Sequence, residues 1–108
     1  MSDGTRAAIT SLAAEPSGVS ITAETTYERG IGRVGFVLVD LGGAPDTGCL
    51  DRGDVDFSAP LPTHVREAWR SDVALLPGSY RAFFHVYDRS GVNLVAYDRC
   101  DFSCGEGR

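Results

Sequence analysis

The chain has no lysine, no glutamine and one asparagine, Asn93, in 108 residues. All ten of its basic residues are therefore arginine. That excludes a Schiff-base lysine, a phosphate-loop lysine, and any carboxamide oxyanion donor other than Asn93. Long apolar runs are missing as well, since no stretch approaches the roughly 20 residues of a membrane-crossing helix. Met1-Ser2-Asp3-Gly4 begins no signal peptide. The expected location is cytoplasmic for the chain as it stands, or secreted if a signal peptide has been removed, with no membrane insertion. Positive charge is in deficit: 15 acidic residues against 10 basic ones leave −5, which disfavours nucleic acid and anionic membrane as partners. Cysteine is scarce and odd in number, so Cys49, Cys100 and Cys104 form one pair at most. On one extended strand Cys100 and Cys104 sit about 13 Å apart, too far to bridge, whereas a turn at 101–103 brings them together. Reduced thiols are the preferred expectation.

What is present suits a single domain over residues 1–108. A hydrophobic content of 43% supports a core without staples. Residues 7–14 form a weak first strand around Ile9 and Leu12, ended by Glu15-Pro16-Ser17-Gly18. Residues 19–25 alternate cleanly, with Val19, Ile21 and Ala23 inward and Ser20, Thr22 and Glu24 toward water. Residues 32–41 form a third strand that is apolar on both faces, Val34, Phe36 and Leu38 on one and Val37 and Val39 on the other. Residues 41–62 read as one long irregular loop, with room for a short edge strand near 55–58. Residues 63–71 fit a helical turn through Val65, Ala68 and Trp69, or one face of a strand through Val65, Trp69, Val73 and Leu75. Val73-Ala74-Leu75 before a Pro-Gly turn favours the strand. A frayed tail is expected at 105–108.

The most informative stretch is Leu75-Leu76-Pro77-Gly78-Ser79-Tyr80, followed by an alternating strand, Asp88-Arg89-Ser90-Gly91, and a returning strand. Gly91 suits the left-handed position of a three-residue hairpin loop. That loop sets Val86 opposite Leu94 and Phe84 opposite Ala96, with His85 opposite Val95 and Phe83 opposite Tyr97 on the other face. This stretch resembles the E–F–G region of immunoglobulin-like and fibronectin-type modules over roughly residues 73–98. The resemblance implies that Tyr80 is a corner tyrosine whose hydroxyl is tied to backbone a few residues upstream. It departs from true immunoglobulin domains in having Ala82 where a cysteine stands two residues after the tyrosine, and no tryptophan on the third strand. The fold expected is all-β, an antiparallel immunoglobulin-like sandwich of about seven strands with one long loop, 41–62. A fold of this kind does not name a function.

Several constellations compete for one. Asp51, Asp54 and Asp56 crowd the long loop, with Asp40 and Asp46 near them. Calcium takes carboxylate oxygens from such loops, but the spacing is not that of an EF-hand and Arg52 interrupts it. Solvated loop acids are the simpler reading. Arg52-Gly53-Asp54 spells an integrin-type tripeptide, which a chain rich in these residues produces by chance. His64, His85 and the three cysteines include zinc ligand types without a ligand spacing. No Gly-x-Ser-x-Gly elbow supports a serine–histidine–aspartate site. No reaction is announced.

The signal that outweighs these lies on the third strand, 32–41, and on the two strands that flank Asp88-Arg89-Ser90-Gly91. Val37, Val39, Phe83, His85, Tyr87, Val95 and Tyr97 are turned away from the expected core, where a solvated face carries serine, threonine and glutamate. A contiguous apolar patch of this kind marks an interface, or it is covered by the 41–62 loop or the tail. A third reading makes the covered face a ligand pocket with His85, Tyr87 and Tyr97 as polar handles. The leading expectation is a non-catalytic binding or assembly module that meets a protein partner or a second copy. The alternative is a small-ligand site, open to catalysis, roofed by 41–62. No cofactor is required beyond the calcium just weighed.

Overall fold

Strand β2, Gly18–Thr26, shows how the alternation becomes a layer. Val19, Ile21, Ala23 and Thr25 are at most 1% exposed, while Ser20, Thr22, Glu24 and Thr26 stay half-exposed on the other side. In the computed structural model, which describes residues 5–42 and 49–104, β2 is the centre of a three-stranded antiparallel sheet. Its neighbours are β1, Arg6–Glu15, and β5, His64–Ser71. The second sheet is four-stranded and antiparallel, in the order β4-β3-β6-β7. Its strands are β3 (Arg33–Asp40), β4 (Cys49–Asp56), β6 (Gly78–Tyr87) and β7 (Leu94–Cys104). Over its described residues the protein is an all-β sandwich of seven strands. No helix among the described residues is long and apolar enough to cross a membrane.

The two sheets meet over β2, β3 and β6, whose inward residues include Ile21, Val34, Phe36, Leu38, Phe84 and Val86. An aromatic trio locks them together. Phe36 stacks on Trp69 of the other sheet, with centroids 5.5 Å apart and planes 10° apart, and tilts against Phe84 at 5.2 Å. Each such pair contributes about 0.5–1.5 kcal/mol beyond the area it buries. Pairing with β2 from Val19–Ser71 to Thr26–His64 settles His64–Ser71 as a strand, and its alternation turns the Trp69 indole toward Phe36. That strand stops at Ser71, short of Val73-Ala74-Leu75. Leu75 is nonetheless only 4% exposed, and its amide is held by the Pro16 carbonyl at 3.0 Å.

Two further expectations change. Segment 41–62 is not one irregular loop: residues 49–56 form β4, paired with β3 from Arg33–Asp56 to Val39–Cys49. Its composition hid it, since an edge strand can carry charge on its outer face. Gly53 in its middle is required by packing, as a Cβ there would stand 2.5 Å from Trp69 Nε1. Secondly, the β6–β7 register lies two residues away from the tight-loop expectation, with Val86 opposite Ala96 and Phe84 opposite Asp98. The loop closes farther out, where the Asp88 amide donates to the Asn93 carbonyl at 3.0 Å. The Asp88 carboxylate gathers the Ser90 amide at 2.9 Å and Asn93 Nδ2 at 3.1 Å. Gly91 does take the left-handed conformation, at φ 76°. A two-residue slip leaves the side chains from Ala96 onward on their own faces, while a bulge beside Val95 exchanges the faces of Leu94 and Val95. The preferred expectation for the cysteines holds: β7 runs unbroken through Cys100 and Cys104, with no turn at 101–103 to join the two sulfurs, and the described thiols are free. Residues 105–108, the expected tail, and Asp46 lie outside the described residues.

The hydroxyl of Tyr80 donates to the carbonyl of Leu76, four residues upstream. Its ring is 3% exposed and stacks on Phe102 at 5.6 Å. Burial, then the nearby Asp40 and Cys104, pushes the phenol above its ordinary 10.0.

Candidate functional site on the outer face of the four-stranded sheet

Strand pairing assembles the outer face in rows. One row runs Arg52, Val37, Phe83, Arg99 across β4, β3, β6 and β7. The next runs Asp54, Gly35, His85, Tyr97. Beyond it lie Asp56, Arg33, Tyr87 and Leu94, and on the other side Cys49, Val39, Arg81 and Asp101. Same-face rows are about 6.7 Å apart and strands about 4.8 Å apart, so the four rows cover roughly 20 Å by 14 Å. Of the seven residues expected here, Val37, Val39, Phe83, His85, Tyr87 and Tyr97 come together. Val95 does not. It is the extra residue of a bulge between the pairs Val86–Ala96 and Tyr87–Leu94, and it packs against the core.

His85 occupies the centre. Its ring stacks on Phe83 at 5.6 Å and 18°, meets Tyr87 edge-on at 6.4 Å, and lies 6.4 Å from Tyr97. Burial lowers the imidazole pKa below its ordinary 6.5, and the Asp54 carboxylate offsets this in part. Asp54 leans across the outer face over β3 because Gly35 has no side chain: a Cβ on Gly35 would lie 2.7 Å from Asp54 Oδ1. Tyr97 is 59% exposed, so the aromatic cluster opens to solvent. Arg33–Asp56 at 2.6 Å and Arg81–Asp101 at 2.6 Å close two corners as ion pairs. The Arg81 fork holds the Asp101 carboxyl below the usual carboxylate range. Among the described residues, the side chains of Arg52, Asp54 and Arg99 make no hydrogen bond or ion pair. Arg52 and Arg99 were not recognisable as members of this face. The hairpin register hid Arg99, and the missing edge strand hid Arg52.

The outer face of the other sheet is a useful contrast. There β2 and β5 pair Ser20 with Arg70, Thr22 with Ala68, Glu24 with Arg66 and Thr26 with His64. His64 Nε2 meets Glu24 at 2.6 Å, and Arg70 reaches Ser20 at 3.1 Å and Asp72 at 3.0 Å. That face is solvated in the ordinary way. One sheet is polar outside and the other is aromatic.

Segment 41–62 does not roof the aromatic face over its described residues. β4 lies in the plane of the sheet, beside β3. Residues 57–63 close the end of the sandwich, with Phe57 donating to Gly32 at 3.0 Å and Ile31 to Pro62 at 2.8 Å. An open groove of about 550 Å³ lies at that end, between Arg29, Phe57, Leu61 and Arg89. The aspartates weighed for calcium are divided by strand alternation. Asp51 points inward and accepts the Ser71 hydroxyl, while Asp54 and Asp56 point out. Among the described residues no three of His, Cys, Asp or Glu gather as metal ligands. Arg52-Gly53-Asp54 lies within β4, not at a loop tip.

No protein-family model and no curated protein matches this chain. Among solved structures, the hypothetical protein PH1083 from Pyrococcus horikoshii OT3 aligns with 93% of this chain and 90% of its own. Its identity is 11% and its TM-score 0.48.

Proposed function

We propose that this protein is a non-catalytic binding or assembly module that meets another polypeptide through the outer face of its four-stranded sheet. One observation carries the reading: Phe83, His85, Tyr87 and Tyr97 form a continuous ring cluster on a face that, on the opposite sheet, is serine, threonine and paired charge. Solvent exposure of such a cluster is unfavourable, and aromatic centres rimmed by arginine are what protein interfaces concentrate. The strand order and the bond from Tyr80 to Leu76 support a finer placement among immunoglobulin-like and fibronectin-type modules.

The test is Phe83→Arg. A charge placed at the centre of an interface is desolvated without a partner. The variant should keep the wild-type melting temperature in dilute solution and lose association, measured as solution mass by light scattering. A variant that associates as the wild type does removes this face from any interface.

A further inference from the structure

Resting on that reading, we infer that the occupant of the aromatic face is a second copy of this chain, docked by a two-fold axis that exchanges the two central rows. The rows are Arg52-Val37-Phe83-Arg99 and Asp54-Gly35-His85-Tyr97, adjacent on the sheet. An axis in the plane of the contact, perpendicular to the strands and passing between the rows, sets each residue against its counterpart in the other row. Arg52 then faces Asp54 of the second copy, and Phe83 faces its His85. Arg99 faces Tyr97, and Val37 faces the position at Gly35 that has no side chain. Three of these oppositions are favourable in kind, cation to anion, ring to ring and guanidinium to phenol face, while the Asp54 carboxylate fills the space over Gly35 that Val37 meets. A two-fold interface is isologous, so every contact occurs twice.

The alternative axis argues for this one. Rotation about a line parallel to the strands keeps the rows and exchanges the edges, so that Arg52 meets Arg99 of the second copy. Like charges opposed in this way are strongly unfavourable. Arg52, Asp54 and Arg99 are also the charges of the face whose side chains make no hydrogen bond or ion pair among the described residues, whereas Arg33 and Arg81 are paired already. The Asp54 carboxylate, folded over Gly35, stands where an incoming arginine reaches it. Two sheets so joined pack about 10 Å apart with strands nearly aligned. A plane of roughly 20 Å by 14 Å lies below the standard interface size, which makes the dimer concentration-dependent.

Charge reversal in pairs tests the axis. Arg52→Glu and Asp54→Arg are prepared separately, and their solution mass is followed from micromolar to millimolar protein beside the wild type and Phe83→Arg. Each reversal alone opposes like charges twice and should weaken the dimer about tenfold or more. Mixed in equal amounts, the two variants should form a heterodimer near wild-type strength. Across the axis the two introduced side chains then meet as anion and cation, and the retained Asp54 of one copy meets the retained Arg52 of the other. Melting temperatures confirm that each variant is folded. A wild type that stays monomeric at millimolar concentration overturns the second copy as occupant. Self-association that Phe83→Arg abolishes, but that survives both reversals or is not restored by mixing, overturns this axis and leaves the face reading standing. Association that survives Phe83→Arg overturns the face reading itself.

Discussion

The carboxylate of Asp98 on β7 accepts a hydrogen bond from the backbone amide of Ile9 on β1, at 2.8 Å, across the open side of the sandwich. The two residues belong to different sheets. Ile9 stands beside a β-bulge, where the pairing with β2 shifts between Ile9 and Ser11. Its amide points away from β2 and needs another acceptor. Asp98 sits opposite Phe84 on the inward side of β7, a position that otherwise calls for an apolar residue. An inward charge at an edge both satisfies the stray donor and discourages further strand pairing.

Asp98→Ala should therefore lower stability by about 1–3 kcal/mol, the cost of leaving a part-buried amide unpaired. Asp98→Asn keeps a carbonyl acceptor and should lose less. Urea midpoints should fall in the order wild type, Asn, Ala. Hydrogen exchange at the Ile9 amide gives a local readout, with protection lost in Asp98→Ala. Unchanged midpoint and protection would show that the bond does not join the sheets.

Gly53 supplies the floor for Trp69, and its neighbours Arg52 and Asp54 point to the opposite face. Gly53→Ala forces a Cβ to within 2.5 Å of the indole nitrogen, so the Trp69–Phe36 stack must shift. Overpacking of this kind costs about 1–3 kcal/mol. The only tryptophan in the chain reports it directly, through a changed emission maximum alongside a lower urea midpoint. A variant with wild-type emission and midpoint would sink the packing account of this glycine.

These contacts also show what could be read from residue order. Local alternation placed Val19, Ile21 and Ala23 in the core, because β2 is central and its inner face has nothing else to meet. The turn chemistry around Tyr80 and Gly91 was legible because each acts within a few residues of itself. Strand β4 was not legible. Its glycine answers to Trp69, sixteen positions on, and its charges are tolerated only because it is an edge. Tyr97 was expected opposite Phe83, where Arg99 stands, because Asp88 and Asn93 close the hairpin loop farther out. The aromatic face survived that slip because an even shift preserves facing. Val95 left the face because a bulge breaks the period.

Tyr80→Phe removes the donor to the Leu76 carbonyl and should cost about 1–3 kcal/mol, seen as a lower denaturant midpoint at constant slope. Burial also holds the Tyr80 phenol above 10.0, so the native state keeps that proton longer than the unfolded chain. Its contribution to stability is therefore complete below pH 10.0 and lost as pH rises toward the folded value. In an ultraviolet titration, one of the four tyrosines should ionise late in the wild type and be missing from the variant. An equal midpoint would remove the tie.

His85 makes the face sensitive to acid. Burial among Phe83, Tyr87 and Tyr97 favours the neutral ring, and Asp54 across Gly35 offsets this only in part, so the folded pKa lies below 6.5. The sign follows from which state binds the proton more readily. Below pH 6.5 the unfolded chain takes up a proton that the native state still refuses. The contribution of His85 is thus complete above that pH and falls as pH drops from 6.5 through the depressed folded value, beneath which the loss is constant. His64, paired with Glu24 on the other sheet, is the second histidine of the chain, and its resonances must be assigned separately. His85→Phe keeps a stacking ring and removes the proton. The stability difference between wild type and His85→Phe should therefore change between pH 7.5 and 5.5, with the wild type losing ground on acidification. Self-association should follow, because a second copy dehydrates the imidazole further and makes its charged form more costly. Wild-type mass should fall toward the monomer over that range while His85→Phe holds its own. Proton resonances of the two histidines provide the independent check, with His85 titrating below the ordinary value. A His85 that titrates at or above 6.5 would contradict the burial that gives this face its acid sensitivity.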